Sequence, residues 1–260
     1  GAALATLISN CAAMLYFFGY LFFRRKTTCV CISPKEFTLR RPIVMGVCTV
    51  GVPASIQNLL NVVGQMLLNN LTSAYGPQAL AAMGIAFRVA MVPMYISNGI
   101  SQGVMPLVGY TYAAELIGRM KKALAFTAKL AVSILLVLAV CCCLFSPFII
   151  GAFIDDAQTV AYGSSFLIGM ALSIPFMSMD FLAVGVFQAV GKGSLSLMMA
   201  IVRKIVLEIP AMNLLNYFWP LYGLSCAQLV AEVGACAIGG MLLLRLIRQI
   251  ERRAKPRDAA

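Results

Sequence analysis

Asp180 is an acid inside an apolar run, SIPFMSMDFLAVGVFQAVGKG (residues 173–193), with Pro175 before it and Gly185 after it. A carboxylate at membrane depth is costly, so it usually faces a protein interior or a water-filled path. There it binds a cation, passes a proton or braces a basic partner. A second polar set lies in GVPASIQNLLNVVGQ, where Gln57, Asn61 and Gln65 recur at i, i+4 and i+8 and share one helix face. Such a stripe either hydrogen-bonds a neighbouring helix or lines a cavity. Arg88, Arg203, Lys204, Glu208 and Glu232 are further charges set within apolar runs. Glu208 and Glu232 are alternative titrating acids. Arg88 is expected to act as a structural anchor, by snorkelling to an interface or by pairing with an acid or an anionic lipid.

The elements that hold these residues must be membrane helices. Apolar residues make up 61% of the 260, charged residues 11%, and the mean hydropathy is +0.91. A soluble domain is about half apolar and a quarter charged. The chain has no histidine, which removes the commonest general base and metal ligand. Together with the absence of an acid pair or metal-ligand spacing within a helix, this argues against a membrane-embedded enzyme, and no metal or organic cofactor is expected. Most of the nine cysteines lie in apolar runs and are expected to pack helices; Cys29-x-Cys31 in a basic loop is a weak metal signal. The formal charge of +11 sits in connections between apolar runs, as membrane orientation requires, so no nucleic-acid partner is expected.

A crossing takes about 20 predominantly apolar residues. Seven runs qualify, at about 1–23, 42–72, 79–110, 123–150, 158–190, 195–217 and 221–248, with bends expected at Pro53, Pro93, Pro106, Pro175 and Pro210. Alternate connections are basic: Arg24 to Arg41, then Arg119, Lys121 and Lys122, then Lys192, then a tail from Arg245 to Arg257. Residues 73–78, the Asp155–Asp156 turn and NYFWPLYG carry no Lys or Arg. The positive-inside rule then places the C-terminus in the cytoplasm, in a multi-pass protein of the cell (plasma or inner) membrane.

Gly1-x-x-x-Ala5-x-Leu7 recurs as Gly223-x-x-x-Ala227-x-Leu229, each copy running on to a basic exit. With no charged segment ahead of the first run, no signal peptide is supported, and the chain is expected to begin inside a longer protein. The reading is an all-α transmembrane bundle in which 1–23 is the last helix of a preceding lobe and 24–41 a basic cytoplasmic inter-lobe loop. Residues 42–250 form a complete six-helix lobe, and 251–260 a basic cytoplasmic tail.

Depth counting adds one contact. The turn at Lys192–Gly193 makes an antiparallel hairpin; Asp180 is 12 residues before Lys192, Arg203 and Lys204 are 11 and 12 after it. At 1.5 Å per residue both arms lie about 17–18 Å from the turn, so Asp180 is expected to face Arg203 or Lys204 within about 6 Å. A carboxylate braced in this way is less suited to carry protons than a free one.

The run GISQGVMPLVGYTYAAELIGRMKKAL resembles the signature of the MATE (multidrug and toxic compound extrusion) family, most closely its MepA-type branch. The matching residues are Gly99-Ile100-Ser101, Gln102, Pro106, Gly109-Tyr110, Ala113 and Arg119; PFMSMDFLAVGVFQAVGKG, Arg203 and GVPASIQNLL are also similar. The resemblance implies twelve helices in two lobes, of which this chain holds the sixth to twelfth, and exchange of H+ or Na+ for organic cations. It also implies an acid at the position of Asn61 and an Asp near Met177, one turn from Asp180. With neither in place, it implies coupling through a first lobe.

The expected function is therefore a cation-coupled antiporter exporting drugs or other organic cations by alternating access. Gln57, Asn61, Gln65 and Asp180 are expected to line the cavity, with Arg203 or Lys204 bracing Asp180. The partners are the bilayer, the first lobe and small organic cations. The alternative within the same superfamily is a flippase for lipid-linked saccharides, which should show a cationic cavity.

Overall fold

The computed structural model describes residues 2–23, 38 and 40–254. Most of the 24–41 loop, Cys29 and Cys31, and the tail beyond 254 lie outside the described residues. The elements are α1 (Ala2–Phe23), α2 (Arg41–Ser73), α3 (Pro77–Ala113), α4 (Ile117–Leu144), α5 (Ser146–Gly151), α6 (Ala157–Ala171), α7 (Ile174–Ala189), α8 (Gly193–Ile201), a π-helical segment (Val202–Glu208), α9 (Ile209–Phe218) and α10 (Tyr222–Ala254). No strand occurs among the described residues. Two compact units divide at Gly46, with α1 in the first and the bundle from Val47 onward in the second.

Among the described residues, five of these helices are each long and apolar enough to cross a membrane, and α6 with α7, bent by 46°, meets the same measure when taken as one broken span. The remaining run expected from the sequence, about 195–217, is present as α8, the π segment and α9, each too short to cross alone. Pro175 opens α7, directly after the bend, because it supplies no N–H to continue the ladder from α6. Pro210 opens α9 by the same logic. Just upstream, the N–H of Ile209 bonds the carbonyl of Lys204, five residues back, and the turn is wider than an α-helical one. Pro53, Pro93 and Pro106 lie inside continuous helices.

Contacts between helices fix their directions. Asn61 bonds Arg203 and Tyr75 bonds Asn216, at separations of 142 and 141 residues, so α2 runs parallel to the α8–π–α9 segment. At the α7–α8 turn Gly191 takes φ +75°, a conformation that side chains with a Cβ rarely adopt. Gly185 marks a close approach of α3 to α7: a Cβ there would sit 2.3 Å from the Ser101 hydroxyl. That hydroxyl donates to the Phe181 carbonyl at 2.8 Å and ties the two helices together.

The bundle has two apolar cores. One gathers Met83, Leu135, Phe166, Met170, Ile174 and Leu224; the other gathers Val108, Met120, Phe187, Met199, Ala235 and Leu246. Along α7, α8–π–α9 and α10 alike, Asp180, the π segment and Glu232 fall between the two. A charged layer is thus sandwiched between apolar layers. Burial in these cores contributes about 1.5–3 kcal/mol per large side chain relative to water. In a bilayer it is packing and hydrogen bonding, more than water exclusion, that holds the helices together.

Candidate substrate and ion cavity

The π segment carries Arg203, Lys204 and Glu208, and its wide turn brings all three to the inner side of the bundle. π turns recur at functional sites because they re-aim side chains without ending a helix. Arg203 is the hub. Its Nη1 donates to Asp180 Oδ2 at 3.1 Å and to Glu232 Oε1 at 3.4 Å, and its Nη2 donates to Asn61 Oδ1 at 3.1 Å. The guanidinium carbon stands 5.5 Å from the centre of the Phe181 ring, within range of a cation–π contact. One residue on, Lys204 Nζ donates to Glu208 Oε1 at 2.6 Å.

These groups border a cavity of about 430 Å³ enclosed by α2, α3, α6–α7, the π segment, α9 and α10. Gln57, Asn58, Asn61 and Gln65 form one wall, so the polar stripe of α2 lines the cavity while Asn61 also bonds across to Arg203. Arg203, Lys204, Glu208 and Glu232 form the charged floor, and Met91, Met94, Tyr95, Met105, Met177 and Phe181 are among the apolar walls. The combination of an apolar body and a few convergent polar groups is the usual make-up of a small-molecule site.

Two expectations need correction. Asp180 was expected on the cavity wall, but it is 2% exposed, is absent from the lining and sits behind Arg203. The hairpin puts it level with the guanidinium, and the guanidinium then lies between it and the open space. Arg88 was expected to anchor either by snorkelling or by charge pairing, and it is the pairing alternative that is not seen. Arg88 is exposed, and no ion pair forms on it among the described residues. The buried stripe of α3 runs through Met83, Ala86, Pro93 and Ser97, and Arg88 lies off that stripe. Lys204, the alternative brace for Asp180, is instead held by Glu208 within its own turn.

Charge does not balance across the layer. Asp180, Glu208 and Glu232 face Arg203 and Lys204, leaving one more carboxylate than cations. Glu232 Oε2 and Asp180 Oδ1 are buried without a hydrogen-bond partner. Unpaired buried oxygens are costly and mark a place able to receive a cation or a proton. Among the described residues, no group of three or more acidic or cysteine side chains is spaced to hold a metal ion.

Sequence reasoning reached the Arg203–Asp180 contact by depth counting. It named Glu232 but left it out of the cavity. The signal was available: Glu208 and Glu232 stand equally far from Pro220, one on each side, so they meet at one depth. The methionine lining is spread over α3, α6, α7 and α9 and makes no local pattern.

Known proteins share this fold. The MatE family pattern matches residues 53–214. The multidrug export protein MepA of Staphylococcus saprophyticus subsp. saprophyticus is 33% identical over 248 residues, covering 95% of this chain and 54% of that protein. MepA of Staphylococcus aureus is 31% identical over 251 residues, with the same coverage of both chains. The chain thus spans about half the length of the curated relatives it matches. Among solved structures, an outward-facing multidrug resistance MATE family transporter of the MOP superfamily superposes with a TM-score of 0.87 at 22% identity. The match covers 97% of this chain and 57% of that one. The bent form of the Vibrio cholerae MATE transporter VcmN gives 0.81 at 18% identity, covering 96% and 56%. The multi-pass helical bundle, the family pattern and the MepA relatives agree: the chain belongs to the MATE family of multidrug export transporters.

Proposed function

We propose that this chain forms the C-terminal lobe of a cation-coupled exporter of organic cations, working by alternating access with a preceding lobe. The observation that carries the reading is the surplus carboxylate in the charged layer, Asp180 included, that backs one cavity. A site with one uncompensated negative charge takes up one positive charge at a time. An organic cation and a coupling H+ or Na+ then exclude each other, and that exclusion is the minimal requirement for exchange. The relatives' description as multidrug export proteins supports the same substrate class. The basic connections support a cytoplasmic C-terminus in a cell-membrane protein. A flippase for lipid-linked saccharides, whose phosphates are anionic, is disfavoured because both cavity cations are already engaged by carboxylates.

The test is ethidium efflux from liposomes carrying the full-length protein, driven by an imposed proton or sodium gradient. Wild type is expected to export under at least one gradient. Glu232→Gln, at equal incorporation, is expected to lose gradient-driven export. Undiminished export by Glu232→Gln would remove the role given to that carboxylate.

A further inference from the structure

The two cavity cations are held differently. Arg203 is shared by two carboxylates, an amide and an aromatic ring, whereas Lys204 has Glu208 as its one carboxylate partner among the described residues. The Lys204 side chain is 14% exposed and its partner 7%, against 6% for Arg203. Lysine is a point charge on a flexible stem, easily moved, while arginine in a fork of acceptors is not. Space for movement is built in: Gly64 on α2 faces the ammonium, and a Cβ there would lie 3.2 Å from Nζ. A second, independent feature points the same way. Glu232, buried and bordering the same cavity, keeps Oε2 without a partner.

We propose that the Lys204 ammonium is a tethered stand-in for the transported cation. In the unloaded cavity it occupies Glu208, and an organic monocation binds by taking its place on that carboxylate while its apolar body rests against Met91, Met94, Met177 and Phe181. The displaced ammonium swings toward the unpartnered Glu232 oxygen, so neither the lysine nor the carboxylate is left without a counter-charge. The lysine keeps the carboxylate satisfied when the cavity is unloaded and sets a threshold that weak ligands do not pass. This inference rests on the reading of the cavity as an organic-cation site.

The experiment is equilibrium binding of ethidium, followed by its fluorescence, to the full-length protein in lipid nanodiscs. Removing a competitor raises apparent affinity by the inverse of the fraction of time the site is free. Lys204→Met is therefore expected to bind ethidium about tenfold more tightly. Lys204→Arg, which keeps a competing cation, stays near wild type. In Lys204→Met/Glu208→Gln the gain disappears, because the contested carboxylate is gone. Gly64→Ala keeps every charge but crowds the ammonium, and is expected to tighten binding by about two- to threefold. It decides the matter if Lys204→Met does not fold. Wild type that binds ethidium while Lys204→Met and Gly64→Ala bind no tighter would overturn the competition alone. Wild type that shows no ethidium binding would overturn the cavity reading and the competition with it. A Lys204→Met gain that appears for sodium, measured by thermal stabilisation, and not for ethidium would overturn the organic occupant.

Discussion

Arg203 and Lys204 are neighbours on one turn and border one cavity, yet the surroundings of each make a different region of it. Arg203 reaches the cavity floor but is clasped by Asp180, Glu232, Asn61 and Phe181. Lys204 borders the cavity with a carboxylate from its own helix. The first arrangement joins α7, α10 and α2 to the π segment, while the second joins nothing but one turn to itself. The difference teaches that a charge in a membrane bundle is not a functional site by virtue of burial alone. Arg203 ties helices together, and Lys204, held by one carboxylate of its own turn, is the cation to which the proposal assigns exchange.

The sharpest way to break this division is Arg203→Met. It strands two carboxylates in an apolar layer, and breaking a buried pair in this way costs about 3–5 kcal/mol. The full-length protein is expected to lose most of its folded yield, read by fluorescence-detected size exclusion. Wild-type yield and thermal midpoint would show that Arg203 does not join the helices. A smaller loss probes the framework behind Asp180. Gly185→Val pushes a branched side chain into the Ser101 contact, where overpacking costs about 1–3 kcal/mol. Its thermal midpoint should fall by the corresponding amount.

Glu208→Gln should lower stability less, by about 1–2 kcal/mol, because Gln still offers Lys204 an acceptor and the lysine reaches the cavity. The effect on binding should be the larger one. At the far end of the scale lies Lys121, paired with Glu251 between α4 and α10, with both side chains well exposed. Lys121→Ala should change stability by no more than about 1 kcal/mol and leave efflux alone.

A pH effect belongs to the connection before α6 instead of the cavity. Asp156 caps that helix by accepting from the Thr159 hydroxyl and from the Thr159 N–H at 2.9 Å, which holds its carboxyl below the usual carboxylate range. A lowered value means that its stabilising contribution is complete above the unfolded value of about 3.9 and fades as pH falls through the lower folded value. The thermal midpoints of wild type and Asp156→Ala should therefore differ at neutral pH and converge in acid.

Much of this was legible in the sequence. Apolar runs gave the helices, Pro175 gave the bend between α6 and α7, and depth counting from Lys192 gave the Arg203–Asp180 contact. Three things were not legible, each for a physical reason. The π turn depends on a hydrogen bond five residues back, which no residue type encodes beyond the hint of Pro210. The withdrawal of Asp180 behind the wall depends on where Arg203 comes to rest, and depth counting fixes height but not facing. Arg88 looked like its companions in sequence, and only its place off the buried stripe of α3 set it apart.

The most direct measurement compares Asp180→Asn with Glu208→Gln in the full-length protein, scoring thermal midpoint and ethidium efflux for both. The division of roles predicts that Asp180→Asn loses stability first, with efflux falling only as folded protein is lost. It predicts that Glu208→Gln stays folded and loses efflux. A stable Asp180→Asn without efflux, beside a fully active Glu208→Gln, would contradict the account and return the exchange site to Asp180.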